Sequence, residues 1–333
     1  MKVMIMAAGK GTRLRPITDL VPKPMAPIAN KPALYHIIRL LHRHGVNDIV
    51  MNLHHLPDTI TDYFGDGRGM EVSLSYSFEP TLLGTAGGVK NNEAFLRGGT
   101  FLVMSGDALT DIDLTGLLAA HRRNGSIATL AAKEVDDPSL YGVIVADDDG
   151  RVVGFQEKPT REQARSRLCN CGIYVFEPEI FEHMLEGQFD DFGSRVFPDL
   201  LRAGIPFHVE SVSGFWSDVG NLEEFVKGNA SALTGRVEVE LPGTEVRPGV
   251  WVEGTPHIDP SVRIEPPVLV GAGCRMGPET IVEGPCVIGQ GAVIEEGCHL
   301  VRGVVLPHSR VPAGSVLVGG VLGQRVGANG RGL

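Results

Sequence analysis

The apolar run Val3 to Ala7 leads into Gly9-Lys10-Gly11-Thr12-Arg13-Leu14-Arg15-Pro16, and Pro22-Lys23-Pro24 follows closely. Glycines after a strand let backbone N–H groups approach phosphate oxygens, and the arginines and lysine supply the opposing charge. The segment therefore has the chemistry of a triphosphate cradle. It is not a P-loop, because no Gly-Lys-Ser/Thr opens a helix after a four-residue gap. Two aspartates far apart in sequence, Asp107 in Ser105-Gly106-Asp107 and Asp218 in Phe215-Trp216-Ser217-Asp218-Val219-Gly220, both fall at strand or loop ends. Such a pair suits Mg²⁺, which takes one or two carboxylates together with substrate phosphates and water. Asp111 and Asp113 nearby read as a solvated turn and a helix cap.

The elements that must position these groups come in two kinds. Up to about residue 232, short apolar runs alternate with helix-like segments. This is the pattern of an α/β fold: a Rossmann-like, mixed, mostly parallel sheet with helices on both faces. Ligands of such sheets bind beyond the carboxyl ends of the strands, where the glycine loop lies. After residue 240 a period of six takes over, from Val252 through Ile258, Ile264, Val270, Met276, Val282, Ile288, Ile294 and Leu300 to Leu306. Small or β-branched residues follow those from Ile258 to Leu300 by four positions, among them Cys274, Cys286, Cys298 and Val304. This predicts a short left-handed parallel β-helix of roughly three coils with both positions pointing inward. The expected organisation is a catalytic domain over 1–232, a linker over 233–249, a β-helix over 250–318 and a Gly-rich tail over 319–333.

The same periodicity decides how the cysteines read. Cys274, Cys286 and Cys298 have the regular spacing of metal ligands, but they occupy inward positions and read as core. Cys169 and Cys171 share one face of a strand and read the same way. Adjacent His54 and His55 do not share a face and read as structural. Thirty Lys and Arg against forty Asp and Glu give a net charge of -10, which argues against nucleic acid or an anionic membrane as partner. The odd count of five cysteines does not suggest a disulfide framework. No stretch is long enough to span a bilayer, and the expected location is the cytoplasm.

The segment from Ala7-Ala8-Gly9 to Pro22-Lys23-Pro24 resembles the signature of the sugar-1-phosphate nucleotidyltransferases. Three further segments resemble that family's sugar-phosphate elements in the correct order: Tyr141-Gly142-Val143, Phe155-Gln156-Glu157-Lys158-Pro159, and Asn170 before Gly172-Ile173-Tyr174. The resemblance implies that Ala8, Gly9, Gly11 and Thr12 hold the nucleotide, that Arg13 contacts the β and γ phosphates, and that Lys23 reaches the α-phosphate. It also implies Mg²⁺ on Asp107 and Asp218, Lys158 on the sugar phosphate, and Gly142, Glu157 and Asn170 on sugar hydroxyls. The base falls to Glu79 and the loop Leu83-Gly84-Thr85-Ala86-Gly87-Gly88, with the Glu79 carboxylate available to a donor edge such as that of guanine. Leu14-Arg15-Pro16, Asn30-Lys31-Pro32 and Leu83 to Gly87 are nearest to mannose-1-phosphate guanylyltransferase-like proteins, which favours GTP and mannose 1-phosphate. The pair Ala7-Ala8 is also frequent among uridylyl- and thymidylyltransferases, so UTP or dTTP with glucose 1-phosphate is the alternative. An alternative of another class is a regulatory subunit of this fold without turnover. A homo-oligomer formed through the β-helix is expected.

Overall fold

A computed structural model describes residues 1–323. The chain divides into two compact units, one of residues 1–9, 37–106 and 112–216, the other of 10–36, 107–111 and 217 onward.

The first unit is built on a nine-stranded sheet. Its strands are β1 (Lys2–Met6), β2 (Asp48–Leu53), β3 (Ser73–Phe78), β4 (Phe101–Ser105), β5 (Ala128–Glu134), β6 (Gly142–Ala146), β7 (Val152–Glu157), β8 (Leu168–Phe176) and β9 (His208–Ser211). The spatial order is β7-β6-β8-β4-β1-β2-β3, with β5 paired to β8 and β9. The stretch β4-β1-β2-β3 is parallel, and β8 runs antiparallel to β4, β5 and β6. β1 and β4 are buried almost throughout, as expected of strands with helices on both faces. The aromatic core beside them is dense: Phe176 and Phe192 stack with centroids 5.2 Å apart, and Phe192 and Phe197 at 5.4 Å. Cys169 and Cys171 are buried, and burial pushes the Cys169 thiol up to about 11. The core role expected of both cysteines is the observed one.

β8 is bent where Gly172 adopts φ +68° and its pairing with β5 shifts register between Asn170 and Tyr174. The Asn170 amide braces the bend, its oxygen accepting from Gly172 N at 3.0 Å and its nitrogen donating to Tyr174 Oη at 2.8 Å.

In the second unit the six-residue period becomes a parallel β-helix. One face stacks Val250–Val252, Val268–Val270, Cys286–Ile288, Val304–Val305 and Val321–Leu322, and the other two faces carry four strands each. That makes four coils, one more than expected, and the stack extends to Leu322 rather than 318. Residues 324–333, most of the expected Gly-rich tail, lie outside the described residues. Thr244–Arg247 closes the first edge by pairing antiparallel with Val250–Val252.

The expected inward set holds as far as Leu300 and then slips by one residue. Ile281 pairs with His299, eighteen positions on, whereas Val287 pairs with Val304, seventeen on. Between the paired positions, residues 284 to 286 on the earlier coil stand opposite only Arg302 and Gly303 on the later one, with Arg302 at φ +49°. A one-residue shift in a period of two exchanges faces. Val305 consequently enters the core in place of Leu306, Val304 takes the outward position of Val287, and Val311 and Leu317 continue the shifted period. The sequence concealed this because the displaced residues are apolar as well.

The three β-helix cysteines are fully buried core, and burial pushes the Cys274 and Cys286 thiols up to about 11. The outward residues Leu269 and Val287 are also buried, and a helix, Leu222–Leu233, packs against the strand Cys286–Ile288. Burying each such side chain contributes roughly 1.5–3 kcal/mol. Asn221 caps this helix, its Oδ1 accepting from Glu224 N at 2.9 Å.

Candidate active site

Asp107 and Asp218 converge because of a local pairing of two short strands. Asp218 ends the short strand Trp216–Asp218, which pairs with Ala108–Thr110, and Asp107 immediately precedes the latter. Between the two carboxylates lies the Lys23 ammonium, donating to Asp107 Oδ2 at 2.6 Å and to Asp218 Oδ1 at 2.7 Å. Lys23 sits in a 3-10 turn, Lys23–Met25, started by Pro22 and Pro24, and is only 8 % exposed. Burial works against its charge, but attraction and hydrogen bonds from the two aspartates more than offset this, so its pKa is raised above the ordinary lysine value. The Arg13 guanidinium stands 3.8 Å from Asp218 Oδ2 and is more than half exposed, so it is screened from Asp218 and open to a ligand.

Gly11 packs directly against this cluster at φ +60°. A Cβ built on it would lie 2.6 Å from Lys23 Cβ, at the root of that side chain rather than its flexible end. Gly11→Ala is therefore expected to lose about 1–2 kcal/mol of stability to left-handed strain and to reduce turnover at least about tenfold by displacing Lys23. A chemical unfolding curve and steady-state kinetics check this, and unchanged kinetics would contradict it.

In the first unit Ala8 is buried at the end of β1, and the preceding Ala7 N–H donates to Asn52 Oδ1 at 2.8 Å. Asn52 Nδ2 in turn donates to Glu79 Oε1 at 2.8 Å, and Leu83 N–H donates to Glu79 Oε2 at 3.1 Å. Glu79 is almost fully buried, with both oxygens engaged. These bonds tie the loop before Gly84 to β1. His54 Nδ1 donates to the Glu79 carbonyl at 2.8 Å, in keeping with a structural role. Among the described residues no group of three or more His, Cys, Asp or Glu is placed to hold a metal.

The loop around Gly84 and Thr85 is fastened to residues 190–192. Thr85 Oγ1 donates to Asp191 Oδ2 at 2.8 Å and accepts from Phe192 N–H at 2.9 Å, while Ala86 and Gly87 donate their N–H groups to the Asp190 carbonyl. Asp190 is buried; burial disfavours its charge, yet hydrogen bonds from Arg195 and Leu185 N–H hold its carboxyl below the usual carboxylate range. A depressed pKa stabilises the fold at pH values above the ordinary carboxylate value and loses that contribution as pH falls through the folded value. Asp190→Asn should then cost about 3 kcal/mol near neutral pH. The gap from wild type should shrink below about pH 3.9. Urea unfolding across pH measures it, and a pH-independent gap would contradict the ionic role.

The sugar-phosphate candidates Gly142, Glu157 and Lys158 come together at the ends of β6 and β7. Lys158 Nζ lies 3.1 Å from Glu157 Oε1, and a Cβ on Gly142 would meet Phe155 Cζ at 2.7 Å and Glu157 Oε2 at 3.3 Å. Lys158 adopts φ +45°, rare for a residue with a side chain, while its N–H donates to the Tyr141 carbonyl. Asn170, occupied with the β8 bend, keeps one N–H and one lone pair for a ligand.

Sequence reasoning missed Asn52, Asp190 and Arg195. An asparagine inside Asp48-Ile49-Val50-Met51-Asn52-Leu53 was a visible signal, since a polar side chain in a buried strand needs partners. Nothing in the sequence marked Asp190 apart from its neighbours.

A mixed α/β sheet, a glycine loop, a cation between two converging carboxylates and a following β-helix are the parts that the sequence resemblance implies. The chain belongs to the nucleotidyl transferase family, whose model matches residues 2–235, as a sugar-1-phosphate nucleotidyltransferase family member. It is 41% identical over 292 residues to a UTP–glucose-1-phosphate uridylyltransferase of Synechocystis, covering 80% of this chain and 75% of that one. It is 36% identical over 235 residues to a mannose-1-phosphate guanylyltransferase of Mycobacterium tuberculosis, covering 70% of this chain and 64% of that one. Among solved structures, HddC from Yersinia pseudotuberculosis complexed with GMP-PN superposes with a TM-score of 0.58 at 28% identity, covering 68% of this chain and 97% of that one. No helix among the described residues is long and apolar enough to cross a membrane.

Proposed function

We propose that the protein condenses a nucleoside triphosphate with a sugar 1-phosphate. A phosphate oxygen of the sugar attacks the α-phosphorus in line, the bond to the β-phosphate oxygen breaks, and pyrophosphate leaves as the nucleotide-diphospho-sugar forms. The attacking monoester has its second pKa near ~6 and is already ionised at neutral pH, so no general base is required. Lys23 and Arg13 offset the triphosphate charge, and Lys158 holds the sugar phosphate against the repulsion between the reactants. Two carboxylates already converging on one cation fit a divalent ion, and Asp107 and Asp218 would hold Mg²⁺, which neutralises triphosphate charge when bound. The single observation carrying this reading is the Lys23, Asp107 and Asp218 cluster with Arg13 beside it. The intact charged set also weighs against a subunit without turnover.

The pair UTP and glucose 1-phosphate is the first to test, supported by the Synechocystis relative. GTP with mannose 1-phosphate is the second, supported by the guanylyltransferase relatives. Pyrophosphate release with Mg²⁺ and each common nucleoside triphosphate against a panel of sugar 1-phosphates decides between them. Release from no pair would overturn the proposal.

A further inference from the structure

We infer that Lys23 and the metal ion alternate at Asp107 and Asp218: the free protein keeps its own ammonium there, and the metal enters only with the triphosphate, whose phosphates draw Lys23 away. The inference rests on the nucleotidyl-transfer reading. It begins with charge. Asp107 and Asp218 carry two negative charges, and Lys23 and Arg13 two positive ones, so the cluster is neutral as it stands.

Adding a divalent ion alone would leave two uncompensated positive charges, whereas a metal–triphosphate complex brings its own negative charge. Space gives the same answer. The ammonium lies 2.6 and 2.7 Å from one oxygen of each carboxylate, on the side where the two carboxylates converge. Mg²⁺ needs oxygen ligands at about 2.0–2.1 Å, and a cation there would sit in contact with Nζ. Lys23 is nearly buried, so it needs a new anionic partner in order to leave, and a bound triphosphate supplies one. Its four-carbon stem allows such a swing while the 3-10 turn that carries it stays in place.

Mn²⁺ binding, followed by electron paramagnetic resonance and water-proton relaxation, tests this without turnover. Free wild type is expected to bind Mn²⁺ weakly, and to bind it tightly once loaded with the α,β-methylene analogue of UTP or GTP. Lys23→Met, which removes the ammonium and keeps the stem, should bind Mn²⁺ at least about tenfold more tightly than wild type with no nucleotide present. Adding Asp218→Asn to that variant should abolish the gain. Should Lys23→Met not fold, as judged by circular dichroism, Lys23→Gln serves the same comparison because it places a neutral donor between the carboxylates.

Equal Mn²⁺ affinity of free wild type and the lysine variant, with tight binding in the analogue complex, would overturn the exchange and leave the nucleotidyl-transfer reading standing. No tight site in any form, the analogue complex included, would overturn the two aspartates as metal holders and the exchange with them.

Discussion

Asp107→Asn and Asp218→Asn are each expected to lower turnover about a hundredfold, equivalent to about 3 kcal/mol of transition-state stabilisation. Each substitution keeps the shape of the side chain and removes the charge opposite Lys23 Nζ. The remaining carboxylate still holds the lysine, so the cluster stays folded while its capacity for a divalent ion falls. Kinetics at saturating substrates, beside a thermal melt, measure the effect. Near-normal turnover in either variant would contradict the roles proposed for the pair.

Lys158→Met should act on one reactant only. Its kcat/KM for the sugar 1-phosphate should fall about a hundredfold. Its affinity for the nucleoside triphosphate alone should stay within about twofold of wild type. The lysine is held at φ +45° beside Glu157, a conformation costing roughly 1 kcal/mol. A strained backbone at a charged, exposed position is a marker of function, and methionine keeps the stem while deleting the charge. Equal losses for both substrates would place Lys158 outside the sugar-phosphate site.

The chemistry-bearing residues were legible because charge and glycine are rare in apolar strand ends. Arg13, Lys23, Asp107 and Asp218, from three separate motifs, come together in one unit. The pairing of Trp216–Asp218 with Ala108–Thr110 that closes this gap was not readable, since neither short strand has a period of its own. The β-helix was legible through its six-residue repeat until the corner at Arg302 and Gly303 dropped a residue among neighbours that are all apolar. The partners of Glu79 left no signal for a different reason. Sequence shows a carboxylate at a loop, but not that Asn52 Nδ2 and the Leu83 N–H each donate to one of its oxygens. The division of the chain also differs from the linear one: residues 10–36 group with the β-helix, where Asn30 Nδ2 donates to Glu253 Oε2 at 3.1 Å and to the Ile288 carbonyl at 3.0 Å. Contacts between residues so distant in sequence leave no local signature.

The account stands or falls on direct attack by the sugar phosphate at the α-phosphorus, with this chain contributing charge and position but no nucleophile. The stereochemical course measures this most directly, using a single diastereomer of the α-phosphorothioate nucleoside triphosphate and the configuration at phosphorus in the nucleotide-sugar product. The account predicts inversion. Retention would reveal a covalent nucleotidyl-protein intermediate and contradict it.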